Sequence, residues 1–229
     1  MTALRVKAIA PIALPADQLA WRAQRYRALG QAAGGLDIRL VNLAGPDAPP
    51  SLDSDDAVQA SSGLIRAEIL RTDPAEFDVA LPDCVLDPGV EAGPAADDPV
   101  PSAGLLKLVG YQLAAAGRTF SAVTRNDVIG RELERKVTEY GLADYFAGVD
   151  TIDGDISLVS DEQEWMNRLR SVTEGERAKK AGTIFNGCSA VDVQDPVVNG
   201  VFILDPTPAA LRLLQVAAES GLYAKHGGS

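Results

Sequence analysis

The chain has 229 residues, 46% hydrophobic and 23% charged, with a formal net charge of −11. That is length enough for one large domain or two small ones around a substantial core. No run approaches the roughly 18 apolar residues of a membrane span, and acid spread along the whole chain opposes binding to phosphate backbones, whose affinity comes from Lys and Arg. The expected partner is a small-molecule substrate, with no nucleic acid and no membrane, in a chain whose apolar helices are compatible with homo-oligomers. The opening "MTALRVKAIAPIALPAD" is soon interrupted by Pro and Asp, so it reads as a first strand and a cytoplasmic location is expected. Two cysteines and one histidine, His226 in a Gly-rich tail, give little support to a disulfide framework, a zinc cluster or a Ser-His-Asp triad. The carboxylates show no EF-hand spacing and no GxGxxG or Walker loop follows a strand, so no metal and no cofactor are expected.

In chain order, "LRVKAIA" (Leu4 to Ala10) is a strand, and "QLAWRAQRYRALGQAAGG" has helical apolar spacing with a glycine stop. "LDIRLVNL" (Leu36 to Leu43) alternates like a strand before the loop "AGPDAPPSLDSDD". A helix from about Ala57 to Arg71 leads to the strand "FDVALP" and Cys84. The order then repeats. "RTFSAVT" is a strand, "VIGRELERKVTEYG" a helix ending at Gly141, "AGVDTI" a short strand, residues 161–180 a polar helix, and "AGTIFNG" a strand delivering Cys188. Past each cysteine comes a second echo, "DPVPSAGLLKLVGYQLAAAG" and "VFILDPTPAALRLLQVAAESG", each an apolar step, a Pro and a helix. Trp21, Trp165 and the tyrosines form no stripe and read as packing residues.

Alternating strands and helices imply an α/β fold of parallel sheets with right-handed crossovers. Its tandem form implies two pseudosymmetric lobes, each a small parallel sheet flanked by helices, with a cleft between them. The expected division is 1–100 plus 205–229 for the first lobe and 101–204 for the second, because each unit's last helix follows a crossover that can carry it to the other lobe. In open α/β sheets ligands bind beyond the carboxyl ends of the strands, where helix N-termini favour a thiolate. Cys84 and Cys188 both sit at such ends. A free cysteine is often a small buried hydrophobe, but two of them at equivalent points of a repeat are not required by packing.

On these residues the chain resembles the aspartate/glutamate racemase superfamily. The order strand-Cys84-x-x-Asp87-Pro88-Gly89, then Gly187-Cys188-Ser189, then "LDPTPAALRLL" carries the likeness over nearly the whole chain, including "FSAVTR" and the closing "GLYAK". "CVLDPG" resembles the hydantoin and allantoin racemase branch in particular. The resemblance implies a cofactor-independent isomerase in which Cys84 and Cys188 exchange the roles of base and acid at a carbon acid. It further implies substrate contacts from the Val85 and Leu86 amides, Asp87, Ser189, Thr124 and the neighbouring Arg125, and from the turn after the first strand, here Pro11 and Ile12.

Plainer readings stand beside several of these. Ser189 and Thr124 are equally helix-capping hydroxyls, and Asp87 before Pro88 is a turn residue. The chain departs from the branch at "APIALPAD", which lacks its Asn-rich turn, at Thr124-Arg125, which replaces Thr-Thr, and at Asp83. If Asp83 faces the thiol, its charge raises the thiol pKa and makes Cys84 a poorer base. The leading expectation is therefore a racemase or epimerase of a hydantoin, allantoin or amino-acid-like carbon acid. A maleate-type cis–trans isomerase with a nucleophilic cysteine and a ligand-binding module without turnover are the alternatives, while a decarboxylase needing one cysteine fits less well.

Overall fold

In the computed structural model, which describes residues 3–223, the first five residues of regular structure are strand β1 (Arg5–Ile9). It pairs in parallel with β2 (Asp37–Val41) and β3 (Val79–Pro82), in the order β2-β1-β3. Val6, Ala8 and Ile9 of β1 and Val79, Ala80 and Leu81 of β3 are fully withdrawn from solvent. The apolar run of β3, and that of β1 interrupted by the buried Lys7, suit a parallel sheet covered on both faces. The crossovers are helices α1 (Ala16–Ala33) and α2 (Asp55–Leu70). α2 begins earlier than its apolar spacing suggests, because the Ser54 side chain caps the Ala57 amide at 3.1 Å.

Helix α3 (Leu105–Ala115) leads into the second unit. There β4 (Phe120–Thr124), α4 (Asp127–Glu139), β5 (Phe146–Thr151), α5 (Glu162–Thr173), α6 (Glu176–Ala181) and β6 (Thr183–Asn186) repeat the order of the first. Strands β7 (Val197–Val198) and β8 (Val201–Leu204) complete the sheet β5-β4-β6-β8-β7, parallel except for the β7–β8 hairpin. The echo beyond the cysteines is structural too. Ser102 bridges Ala80 in parallel beside β3, at the place where β8 lies beside β6.

The closing helix α7 (Pro206–Glu219), capped by Asp205 through the Thr207 amide at 3.2 Å, packs on α1 and α3. α3 in turn closes on the second unit so tightly that a Cβ on Gly110 would lie 2.6 Å from Leu142 Cδ1. One apolar core consequently runs through both units, joining Val6 and Leu81 to Leu106, Phe120, Leu133 and Leu214, while a second gathers Trp165, Leu169, Ile184 and Ile203 behind the larger sheet.

Three features differ from the sequence expectations. The polar helix over 161–180 is two helices, broken where Gly175 starts α6. A 3-10 helix at Ile156–Ser160 was not foreseen, having no periodic apolar run to announce it. Trp165 is fully buried as expected, but Trp21 is 47% exposed. Among the described residues no helix is long and apolar enough to cross a membrane; His226 and the end of "GLYAK" lie outside them.

Candidate active site

Four strand ends converge on one cavity of about 70 Å³. β1 runs into Pro11 and Ile12, β3 into Cys84, Val85 and Leu86, β4 into Arg125, and β6 into Gly187, Cys188, Ser189 and Ala190, all in its lining. Arg22 of α1, Leu52, Ile129 of α4, and Ile156 and Val159 of the 3-10 helix complete the wall. A larger groove of about 540 Å³ runs past Phe77, Pro101, Leu222 and Tyr223 but holds neither thiol. Chemistry, not volume, therefore singles out the smaller chamber.

The Cys188 loop is held by its neighbours. The Gly187 amide donates to the Val123 carbonyl at 2.8 Å, and a Cβ at Gly187 would lie 2.2 Å from that same oxygen. Only glycine lets the end of β6 come this close to β4. Asn186 donates to the carbonyls of Cys188 and Val191 at 3.2 and 3.0 Å and accepts the Trp165 indole N–H at 3.0 Å, so the second core anchors the loop.

The two cysteine turns are also tied to each other. Ser189 Oγ donates to the Asp83 carbonyl at 3.0 Å, while the Ser189 carbonyl accepts from Arg25 at 2.8 Å and from Thr207 at 3.2 Å. Ser189 thus borders the cavity, but its hydroxyl is engaged in joining the turns. The Asp83 carboxylate points toward α1, accepting from Arg22 Nη1 at 2.9 Å and from Tyr26 at 2.8 Å, and is 1% exposed. Arg22, Arg25 and Tyr26 follow helical spacing, which puts all three on the inward face of α1.

Asp87 and Thr124 stand outside the cavity lining. The Asp87 carboxylate accepts from the Leu106 and Lys107 amides at 3.1 and 2.7 Å and from Tyr140 at 3.2 Å. It caps α3, sitting where a Gly104 Cβ would be and holding a left-handed backbone at φ 46°. Burial pushes its carboxyl up to about 6 despite those donors. Thr124 Oγ1, fully buried, donates to the Asn126 carbonyl at 3.1 Å. Asp87 is thus a helix cap, and Thr124 is not, since the N-cap of α4 is Asn126, whose side chain accepts from the Ile129 amide.

Burial raises both thiols, and their surroundings then separate them. Cys84 is pushed up to about 12, mainly by burial; the Leu86 amide counters this, and the nearby Asp83 and Asp87 charges add to it. Cys188 is also raised by burial, but the Ala190 amide, Arg22 and Arg125 pull it down, against Asp83. Each thiol therefore receives an amide from two residues further on, and the cations lie on the Cys188 side. The Val85 and Ser189 amides meet no acceptor among the described residues. Among the described residues, no group of three or more His, Cys, Asp or Glu side chains is placed to hold a metal ion.

Arg22 and the apolar wall were missed in the sequence. Arg22, Arg25 and Tyr26 did leave a signal, since cations and a phenol occupy the stripe of α1 where apolar residues are expected. Leu52, Ile156 and Val159 lie in loops or the 3-10 helix and left none.

A cleft between two pseudosymmetric α/β units, with one cysteine delivered from the equivalent strand of each, defines the class. The Asp/Glu/hydantoin racemase family model matches residues 24–214. The chain belongs to this family and is an isomerase of racemase type. Among solved structures, the fold is similar to the allantoin racemase of Pseudomonas fluorescens, with TM-score 0.73, 15% identity and coverage of 99% of this chain and 98% of that one. It is also similar to the allantoin racemase of Klebsiella pneumoniae, with TM-score 0.72, 18% identity and coverage of 98% and 92%. The maleate isomerase of Pseudomonas putida follows with TM-score 0.63, 11% identity and coverage of 95% and 94%. No curated protein sequence matches the chain.

Proposed function

We propose that the protein is a cofactor-independent racemase or epimerase of a small carbon acid, of hydantoin, allantoin or amino-acid type, working by proton transfer between Cys84 and Cys188. The observation that carries this reading is the opening of both thiols on one chamber from equivalent strand ends, β3 and β6. Inversion at a stereocentre beside a carbonyl requires one group on each face, one to remove the proton and one to return it. The Val85 and Ser189 amides, free among the described residues, support this reading as donors for the oxygen on which charge builds when the C–H bond breaks.

The asymmetry of the cleft supports different resting states for the two thiols. Cys188, beside Arg22 and Arg125, is the thiol that ionises more readily, and Cys84, beside two carboxylates, is the one that stays protonated. In one direction the Cys188 thiolate takes the α-proton and Cys84 delivers its own to the opposite face. The product complex then holds the Cys84 thiolate and the Cys188 thiol, ready for the reverse reaction.

Single variants test this. Cys84→Ser and Cys188→Ser should each lose racemisation by roughly a hundredfold or more, while the surviving thiol still exchanges the α-proton of one enantiomer with solvent. Racemisation at the unaltered rate in both variants would refute the two-thiol mechanism. A covalent succinyl-type adduct on Cys84 after incubation with maleate would replace it with the cis–trans isomerase reading.

A further inference from the structure

Two arginines line a chamber that is otherwise largely apolar, and neither is a small departure from the wall around it. The Arg22 side chain is 10% exposed and that of Arg125 is 4% exposed. Arg22 uses only Nη1, toward Asp83, so among the described residues its Nε and Nη2 have no acceptor. Arg125 uses Nη1 on the Gly154 carbonyl at 3.2 Å and Nη2 on Asp53 at 2.6 Å, which leaves Nε. These donors are not sealed from water, since among the described residues Ser121 Oγ is the one buried side-chain N or O atom without a partner; they belong to residues that border the chamber and stay open to solvent or to a ligand that displaces it. Both cations also act on the same thiol, Cys188. The remaining walls, Ile12, Leu52, Ile129, Ile156 and Val159, present no polar side-chain atom.

We infer that Arg22 and Arg125 form an anion-recognition pair, so that this cleft takes a carbon acid bearing a carboxylate, with an apolar substituent against the opposite wall, in preference to a neutral ring. The inference rests on the racemase reading for its chemistry and on the spare guanidinium donors for its specificity. A carboxylate matches the planar fork of arginine. When the α-proton leaves to the Cys188 sulfur, the electron pair of the broken C–H bond spreads onto the carboxylate oxygens, and adjacent fixed cations stabilise the added charge. Protonation of the α-carbon by Cys84 returns that pair to a C–H bond, so no further reactant is needed.

The test uses a matched pair of small probes, isobutyrate and its neutral isostere isobutyramide, titrated by calorimetry into the full chain. Isobutyrate should bind tighter by roughly tenfold or more, and Arg125→Gln should remove that preference. Arg22→Met should do the same. Because Arg22 is buried against Asp83 and its loss can unfold the chain, Arg125→Gln, whose ion-pair partner Asp53 is 45% exposed, serves as the independent variant. Equal affinity for the two probes, a preference that survives in Arg125→Gln, or no binding of isobutyrate would overturn the inference. The same titration in Cys84→Ser and Cys188→Ser separates it from the racemase reading. Anion preference without solvent exchange of any carbon acid leaves the anion pair standing and removes the racemase, whereas racemisation of neutral hydantoins without anion preference does the reverse.

Discussion

Asp83→Asn probes how the cleft sets its two thiols apart. In the native protein the Asp83 carboxylate is buried, bonded to Arg22 and Tyr26, and adjoins Cys84. The amide preserves shape and an acceptor but leaves the Arg22 charge buried without a counter-ion, which destabilises by roughly 3–5 kcal/mol. For a chain of this size about 2–4 °C accompanies each kcal/mol, so the melting midpoint should fall by roughly 6–20 °C. Asp83 also raises both thiols, and Arg22 lowers Cys188. Removing the carboxylate while keeping the cation should lower both thiol pKa values. The assay is a melting curve together with iodoacetamide labelling of each cysteine, followed by mass spectrometry across pH. An unchanged midpoint with unchanged labelling profiles would show that Asp83 is not the charge that balances Arg22 and biases the cysteines.

The same labelling in the native protein should find Cys188 alkylated before Cys84. Because a raised pKa depletes the thiolate below it, the Cys84 rate should keep climbing with pH to about 12; a plateau of Cys84 labelling near the ordinary thiol value of about 8.5 would contradict its environment. Gly187→Ala places a methyl 2.2 Å from the Val123 carbonyl oxygen, so the Cys188 loop must shift. This should destabilise by about 1–3 kcal/mol and reduce turnover far more than melting temperature, measured as kcat beside a melting curve; native kcat in this variant would refute the positioning role of the glycine.

The strands were legible because each is a short apolar run ended by turn-forming residues, and the repeat was legible because both runs end on a cysteine. The convergence of Pro11, Ile12, Val85, Leu86, Arg125 and Ser189 on the cavity follows from that repeat once the units face each other. What could not be read was set by long-range pairing. Asp83 finds Arg22 across 61 positions, and Ser189 finds the Asp83 carbonyl across 106, so neither bond has a local signature. Asp83 was rightly suspected of raising the Cys84 thiol, but its principal partners are on α1. Asp87 looked like a ligand or a turn residue, whereas its carboxylate caps a helix that starts well downstream, at Leu105. Trp21 was expected to pack because it is large and apolar, yet it lies on the open side of α1 beside Asp17 and Gln18.

The most direct test of the central claim follows the unmodified enzyme through its first turnovers in deuterium oxide, starting from a single enantiomer of each of a set of hydantoins, allantoin, amino acids and 2-substituted carboxylic acids. Chiral separation with mass spectrometry reads the label in each enantiomer. Two thiols on opposite faces predict that the newly formed enantiomer of the true substrate carries one deuterium at the stereocentre while the remaining starting enantiomer keeps its protium. Equal labelling of both enantiomers from the outset, or inversion that retains the original proton, would contradict proton transfer between Cys84 and Cys188.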